Sequence, residues 1–548
     1  MPLRIEPLTP PRIDPRIETG MPSWVTSLLV ILLVAAILRL AALVGFEGTI
    51  QDGPTRVAIA RAWIVDGIPF FGRTLWPEGN YLLPAAVLLC WDDAYWGVRI
   101  LYAIIGLTNV WLVYLLGSAV YGRTAGATAG WLVALMPLSI LNSTDIAMSE
   151  GPYIAFILLA LLAIVRYTAK PDPWFAAAAG LSLTIATTFR FDGVYWGIPL
   201  ALSIAFVAFG RRISWAAAAR DLILLAFCGL LYPVALFVQW THLYPDPFYI
   251  FEIGKTHTSV FLVDGVHPRW PFWLYQSYVV AFWPIATFAL LTPIVAALGW
   301  IGVFSAIRER HQKAAALVSG LAVICFWLAY AAYTHAILAQ WRYALVLAVV
   351  LAVFCAPGAR VISTFLNVSL RSLTLVAAAV ALVAQGLITY VAFVDSGVLT
   401  RQLGMLSPIR PDQFASRALL DWIQANLTSS STVLFTPHVR EQPYLSLYRG
   451  DLQRTGRIVS QQYFETRNRV HSQASLTSEL VQKLKSTNYV VTSMSLRELG
   501  LRDALVRELV QPVQDSDGTY VWQGIRLRLL QRFGSNLLWE VIPAETSN

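Results

Sequence analysis

The stretch SWVTSLLVILLVAAILRLAALVGFEGTIQDGPT, residues 23–55, sets how the rest of the chain is read. Its first two-thirds is one apolar run, from Ser23 to Val44, as long as the roughly 20 helical residues that cross a hydrocarbon core. The sequence then turns polar, and Asp52 stands about eight residues past the run. A second acidic pair, Asp145 with Glu150, occupies a tight connection two runs later, on the same expected side. Membrane packing calls for no carboxylates at such places, so the two sites point to chemistry at the membrane surface.

The whole chain carries the same signature. Of its 548 residues 57% are hydrophobic and only 13% charged, about half the charge of a soluble protein. Mean hydropathy is +0.59. The net charge of +8 is scattered over short loops, which suits topology signals and excludes a nucleic-acid face. Cys90, Cys228, Cys325 and Cys355 lie in or beside apolar runs with no ligand-like spacing, so no disulfide framework is implied. The Pro- and Arg-rich segment 1–22 lacks a cleavable-signal pattern and reads as a cytoplasmic tail, with the first run retained as an anchor.

About eleven spans are expected, at 24–44, 98–120, 125–141, 153–165, 174–188, 194–209, 222–240, 279–304, 314–333, 343–355 and 373–394. The region 174–209 reads either as two short spans or as one re-entrant hairpin. Arg123, Arg166, Lys170, Arg211, Arg212, Arg220, Arg308, Arg310, Lys313, Arg360 and Arg371 fall in alternate connections, with the N-terminal arginines on the same side. Short basic loops mark the cytoplasmic face, so loops 46–96, 142–151, 190–193, 241–273 and 334–340 are expected outside. An odd number of spans puts residues 395–548 outside too, as a polar α/β domain. There 412–427, 478–485 and 497–510 read as helices and 432–435 and 489–492 as strands. Residues 518–530 read as a terminal hairpin turning at Asp517-Gly518. The expected architecture is a polytopic α-helical membrane domain, 23–394, in an inner or plasma membrane, followed by this extracytoplasmic domain.

Each candidate residue has a plain reading beside its chemical one. In loop 46–96 the pattern of Val57, Ile59, Ala60, Trp63 and Ile64 between Arg56, Arg61 and Asp66 fits a helix, either lying in the interface or packed re-entrantly. Gly67-Ile-Pro69 ends it, and Trp76-Pro-Glu78-Gly-Asn-Tyr81 reads as a second, turn-rich stop. Asp52 before Gly-Pro suits a helix N-cap as well as a catalytic base. Asp145 can be a solvated loop residue and Glu150 a first-turn acid on the next helix; Asp92-Asp93 can cap the span near Val98. Arg342 is the sharper signal, because the run after it is too short to span unless Arg342 lies in the membrane, where a guanidinium fork fits a phosphate. The alternative is snorkelling. Arg190, in a minimal turn, is similar, with Asp192 able to neutralise it; Lys255, His257 and His335 also fall in outer loops. Gly122, Gly126 and Gly130, spaced by four, read as helix packing, and Asp515-Ser-Asp517 as a turn. No phosphate-binding Gly-rich loop is present.

With these residues placed, the chain resembles the C-type (GT-C) membrane glycosyltransferase superfamily, in particular the bacterial branch of protein O-mannosyltransferases and the lipid A aminoarabinose transferase. Asp52 in a long loop after the first span, the stretch Pro77–Tyr81, Met148-Ser-Glu150-Gly-Pro-Tyr153, Thr188-Phe-Arg190-Phe-Asp192-Gly193 and the step Arg342-Tyr343 carry the resemblance in order. It implies a polyprenyl-phosphate donor carrying one sugar and a protein, lipid or glycan acceptor. Asp52 would be the base, and Arg342, Arg190 and Lys255 would face the donor phosphate. Asp145 and Glu150 would orient the acceptor or hold a divalent ion, Mg2+ or Mn2+. Glu78, His257 and His335 would be accessory. A lipid phosphate is a good leaving group, so one base suffices, and attack opposite the phosphate inverts the anomeric centre. Three rival readings stand beside this one. A lipid or glycan transporter would place ionisable groups at mid-membrane and show repeated halves, which the sequence lacks. An O-antigen-type polymerase or ligase would lean on Arg and His in a large outer loop. A degenerate homologue would act as a scaffold.

Overall fold

A chain segment inside a bilayer finds no water for its amides, so its apolar runs fold as helices that satisfy their own backbone. The computed structural model describes residues 27–45, 52–66, 71, 76–243, 245–248, 272–337, 339–370, 383, 415–428, 430–435, 458–460, 484–493, 519–522, 525–533 and 536–542. The described helices of the membrane domain begin with α1 (Leu28–Gly45), α2 (Asp52–Asp66), α3 (Gly79–Cys90), α4 (Trp96–Tyr121) and α5 (Arg123–Leu135). They continue with α6 (Pro137–Thr144), α7 (Glu150–Ala169), α8 (Pro173–Thr187), α9 (Gly197–Phe209) and α10 (Trp215–Leu243). The last are α11 (Phe272–Leu291), α12 (Pro293–Arg308), α13 (Ala315–Tyr333), α14 (Leu345–Ala352) and α15 (Cys355–Leu366).

Among the described residues five helices are long and apolar enough to cross a membrane, or up to seven if each bent pair is one span. Shorter apolar helices at 28–44, 79–90, 173–187, 276–291 and 293–308 make up much of the difference from the expected eleven, and 373–394 lies outside the described residues. Four runs differ from the sequence reading. The run at 125–141 is the bent pair α5 and α6, turned by 61° at Pro137, whose ring cannot continue the hydrogen-bond ladder. The run at 343–355 starts as a 3-10 turn (Trp341–Ala344) and continues past a 56° bend into α15. The single span expected at 279–304 is two helices, α11 and α12, broken at Thr292, whose φ of 74° precedes Pro293. Stretch 76–81 is no stop: α3 begins at Gly79. The region 174–209 forms two helices, α8 and α9, joined by a 3-10 turn over Phe191–Trp196.

Small residues let the helices touch backbone to backbone. Gly126 packs against Tyr114 and Ser118 of α4, and Gly130 against Ile31 of α1. Gly122 instead is the joint between α4 and α5, at φ 91°. Gly302 and Gly358 press α12 against α15, where any Cβ would collide with the Phe354 or Leu298 carbonyl. Large apolar side chains such as Leu29, Phe227, Phe304 and Phe326 face outward, as lipid-facing residues do.

The described part of the C-terminal region combines helix and strand and adds two strands, at 458–460 and 536–542, to those expected. Helix α16 (Ala415–Asn426) packs Leu419 and Ile423 onto a six-stranded mixed sheet. The strands are β1 (Val433–Phe435), β2 (Ile458–Ser460), β3 (Tyr489–Ser493), β4 (Thr519–Trp522), β5 (Ile525–Phe533) and β6 (Asn536–Ile542), in the order β2-β1-β3-β6-β5-β4. β4 pairs antiparallel with β5, with Trp522 opposite Ile525, and the expected turn at Asp517-Gly518 lies outside the described residues. β5 then pairs with β6. The expected helix at 497–510 and the Asp515-Ser-Asp517 turn lie outside the described residues, as does 478–483.

Candidate active site

The start of α2, the turn before α7, the turn after α8 and the start of the 341–344 turn meet at one end of the helical bundle. The chain leaves α6 at Thr144, and the turn 145–149 is clamped from two sides. Arg99 of α4 is fully buried and donates from Nε to the Thr144 carbonyl at 2.7 Å. Arg56 of α2, 3% exposed, donates to the Ala147 carbonyl at 2.8 Å. Ala147 itself sits at φ 50°, a left-handed conformation that costs a non-glycine residue about 1–2 kcal/mol. The same turn abuts Gly53, where a Cβ would collide with the Ile146 carbonyl, so only glycine lets α2 start this close. Asp52 is therefore the first residue of a helix whose opening turn lies on the turn that holds Asp145. Asp145 is fully buried, and its Oδ1 accepts from the Ile146 amide at 2.7 Å. It is not the solvated loop residue of the plain reading.

Helix α2 is not a surface raft. Gly53, Pro54, Arg56, Val57, Ala58, Ala60 and Arg61 are buried, and Val57 and Ala60 share a core with Tyr81, Ala85 and Tyr102. The helix is packed against α3 and α4. Arg61 pairs with Asp92 at 2.8 Å, and Asp93 accepts from the Tyr95 and Trp96 amides, so the acidic pair caps and braces α4.

Glu150 opens α7, where a carboxylate suits the helix dipole, and it is 2% exposed. Its Oε1 lies 3.5 Å from Arg190 Nη1 and 3.7 Å from Arg342 Nε, and Ser149 Oγ donates to Oε2 at 3.3 Å. Arg190 is further tied to Asp192, through Nε at 2.9 Å and Nη2 at 3.2 Å. Burial works against its charge, but Asp192 and Glu150 outweigh it and hold the guanidinium above its ordinary range. The Tyr343 ring lies between the two arginines, 4.2 Å from Arg190 and 5.0 Å from Arg342. Tyr153 covers the other side of Arg190 at 5.2 Å and donates to Asp192 at 3.3 Å. Arg342 is the more accessible of the two, 21% exposed against 11%, and its Nε also donates to Gln340 at 2.7 Å.

The α3 start closes a third side. The Gly79 amide donates to the Thr188 carbonyl at 2.7 Å, and Asn80 donates to the carbonyls of Phe189 and Pro77. These long-range bonds cap α3 and fix the Arg190 turn at once. Glu78, 5% exposed, accepts from the Tyr232 hydroxyl of α10. Gln340, Trp341 and Arg342 follow the turn in which His335 sits at φ 58°. Lys255 and His257 lie outside the described residues.

The structure thus joins Glu150, Arg190 and Arg342, places Asp145 beside the start of α2, and sets Glu78 at the edge. Sequence reading did not single out Arg99 and quoted Tyr153 and Tyr343 only as motif members without a role; a charge at the mouth of an apolar run, as at Arg99, was the available signal. Among the described residues no three His, Cys, Asp or Glu side chains converge to hold a metal ion. Glu150 faces two guanidiniums, which repel a further cation, so no step is assigned to a metal.

A family model described as dolichyl-phosphate-mannose-protein mannosyltransferase matches residues 77–240, the segment that holds Glu78, Asp145, Glu150 and Arg190. No curated protein matches the sequence. Among solved structures, ArnT from Cupriavidus metallidurans bound to undecaprenyl phosphate is similar over 96% of this chain and 98% of its own, at 13% identity and a TM-score of 0.55. The archaeal oligosaccharyltransferase AglB from Archaeoglobus fulgidus, in complex with an inhibitory peptide and a dolichol-phosphate, is similar over 86% of this chain and 70% of its own. Its identity is 13% and its TM-score 0.48. The matched segment is under a third of the chain, and over nearly its whole length the chain is similar in fold to ArnT.

Proposed function

We propose that the protein transfers a single sugar from a polyprenyl-phosphate donor to an acceptor hydroxyl, at the end of the bundle where Asp52 begins α2. The observation that carries this reading is Glu150 between Arg190 and Arg342, beside the turn on which α2 starts. Two guanidiniums held by the carboxylates of Glu150 and Asp192 form a charged floor without net excess, and a phosphate joining them gains charge-assisted bonds. Arg342, the more accessible, takes the donor phosphate; Arg190, committed to Asp192 and Glu150, positions it.

In the reaction the acceptor oxygen attacks the anomeric carbon, the bond from that carbon to the phosphate oxygen breaks, and the phosphate leaves with the electron pair beside Arg342. The hydroxyl proton passes to the Asp52 carboxylate. Attack opposite the leaving group inverts the anomeric centre. Asp145, buried in the clamped turn, orients the acceptor. On the positive-inside reading of the basic loops, this end and the 395–548 domain face the extracytoplasmic side, and the N-terminus faces the cytoplasm. ArnT, bound to undecaprenyl phosphate, supports a lipid-phosphate donor by likeness of fold.

The test is sugar transfer by lipid-reconstituted protein offered a panel of polyprenyl-phosphate sugars, comparing wild type with Asp52→Asn. The expected loss in the variant is about 10²–10⁴-fold, the range for a missing general base. Transfer that is unchanged in Asp52→Asn removes the base from this residue. If no donor is consumed by the wild type, the glycosyl-transfer reading fails.

A further inference from the structure

We propose that the opposite end of the bundle carries a built site for a phosphate group, supplied by the head of an anionic membrane lipid. A cavity of about 480 Å³ opens there, lined by Val120, Thr168, Ala169, Arg212, His311, Gln312 and Lys313. None of these seven residues is a carboxylate, and Arg212 and Lys313 bring two full positive charges. Four separate elements meet around it: the last turn of α4, the end of α7, the connection after α9 and the turn before α13.

The site is one helix length from the candidate active site. Helix α7 starts at Glu150 and ends at Ala169, and 20 residues of helix rise about 30 Å. Helix α13 runs the other way, from the 312–314 turn beside the cavity towards Gln340 and Arg342. The two sites therefore lie at opposite membrane surfaces, and a ligand in one does not reach the other.

Three details distinguish the cavity from a diffuse basic face. Arg212 is fixed, donating from Nη1 to the Thr168 carbonyl at 3.0 Å. Both Arg212 and His311 follow a non-glycine residue in the left-handed region, Arg211 at φ 56° and Arg310 at φ 52°. Strain of this kind gathers at ligand sites, where the surroundings hold it. Buried polar atoms also wait without partners: His311 Nδ1 and the hydroxyl of Tyr121, whose ring packs 4.8 Å from His311. The opposing charge nearby is Glu309, which accepts from Ser305 Oγ at 2.6 Å on α12.

The setting names the source of the phosphate. Exposed Phe209 and Trp215, in edge contact at 4.8 Å, flank the Arg212 connection, and Phe304 and Ile307 are exposed beside Arg308. Aromatic residues at this level mark the interface, where lipid head groups lie and where basic pockets between helices bind them. A phosphodiester with no compensating cation matches two positive charges, that of Arg212 held in place, and the orphaned polar atoms.

The experiment uses the full chain in detergent with three probes: phosphatidylglycerol, phosphatidylcholine and inorganic phosphate. Retained lipid is read by native mass spectrometry and the unfolding temperature is followed beside it. Wild type should retain phosphatidylglycerol in preference to phosphatidylcholine. The Arg212→Gln/Lys313→Gln variant should bind phosphatidylglycerol roughly ten- to thirtyfold more weakly, as expected for two lost charge contacts. Arg308→Gln, exposed at the same end but outside the cavity, should stay within about twofold. Equal weakening in Arg308→Gln, or no preference for the anionic lipid, overturns the site. Saturation by inorganic phosphate that phosphatidylglycerol fails to displace keeps a phosphate site but removes the lipid as its source. The unfolding temperature of each lipid-free variant separates a lost ligand from a lost fold.

Discussion

At the end where α7 begins, the arginines are paired: Glu150 stands between Arg190 and Arg342, and Asp192 holds Arg190 again. At the end where α7 finishes, Arg212 and Lys313 line a cavity with no carboxylate among its walls. The difference teaches how one bundle can bury charge and also recruit it. Compensated charges are cheap to keep dry but costly to unbalance, since removing one partner of a buried pair strands the other. Uncompensated charges stay at the rim, partly in water, and gain only when an anion arrives.

Removing Glu150 is the most direct way to break this contrast. Glu150→Ala should destabilise the protein by about 3–5 kcal/mol, read from denaturant unfolding in micelles, and abolish sugar transfer. A stable variant would show that the two guanidiniums are solvated rather than held. Gly53→Ala attacks the geometry instead of the charge. Its new methyl meets the Ile146 carbonyl, so a loss of about 1–3 kcal/mol is expected, with transfer falling because α2 starts in the wrong place. Full activity and stability in this variant would uncouple the start of α2 from the Asp145 turn. Arg342→Lys keeps the charge and removes the fork. It should raise the donor KM by about tenfold with little change in unfolding, because one charged hydrogen bond is lost and the pair with Glu150 survives as a point charge. An unchanged KM would move the phosphate away from Arg342.

The gentlest probe is acid at the other end. Burial first, with Lys313 adding to it against Glu309, holds the His311 imidazole below its ordinary value of 6.5. A folded value below the unfolded one means that the folded state resists protonation. The contribution is thus fully present above pH 6.5 and fades as the pH falls through the lower, folded value. Arg212, Lys313, Glu309 and Tyr121 face the ring, and of these only Glu309 favours its charged form. Unfolding followed from above that pH to below it should show a shallower loss for His311→Gln than for wild type, and equal slopes would remove His311 from the acid response.

Much of this layout could be read in the residues. Glu150, Arg190 and Arg342 each stand at the mouth of an apolar run, and run ends on one side meet when helices pack in parallel bundles. The closure of the site was harder to see. Pro77-Glu78-Gly79 carries the local chemistry of a turn, and it starts a helix only because Thr188 and Phe189, more than a hundred residues away, accept its donors. The break at Thr292 hides inside continuous apolar composition, with the Thr-Pro step as its sole mark. In the C-terminal sheet Asp517-Gly518 is the stronger turn signal, yet the register sets Trp522 directly opposite Ile525, a pairing that local turn chemistry does not announce. Arg56 reads in sequence as the polar flank of an interfacial helix and Arg99 draws no reading at all, whereas burial makes both struts for the Asp145 turn.

The pairing of Glu150 with Arg190 also has a consequence for how the chain is made. Both belong to one helical hairpin, α7 and α8, and they can meet as soon as that hairpin is inserted. Arg342 is synthesised 152 residues after Arg190, a delay of roughly ten to thirty seconds at ordinary translation rates. During that interval the nascent carboxylate already has its neighbour, so the bilayer never receives a bare Glu150. The second arginine then arrives at a cluster that Asp192 has left one negative charge in excess, and it completes the balance of two guanidiniums against two carboxylates.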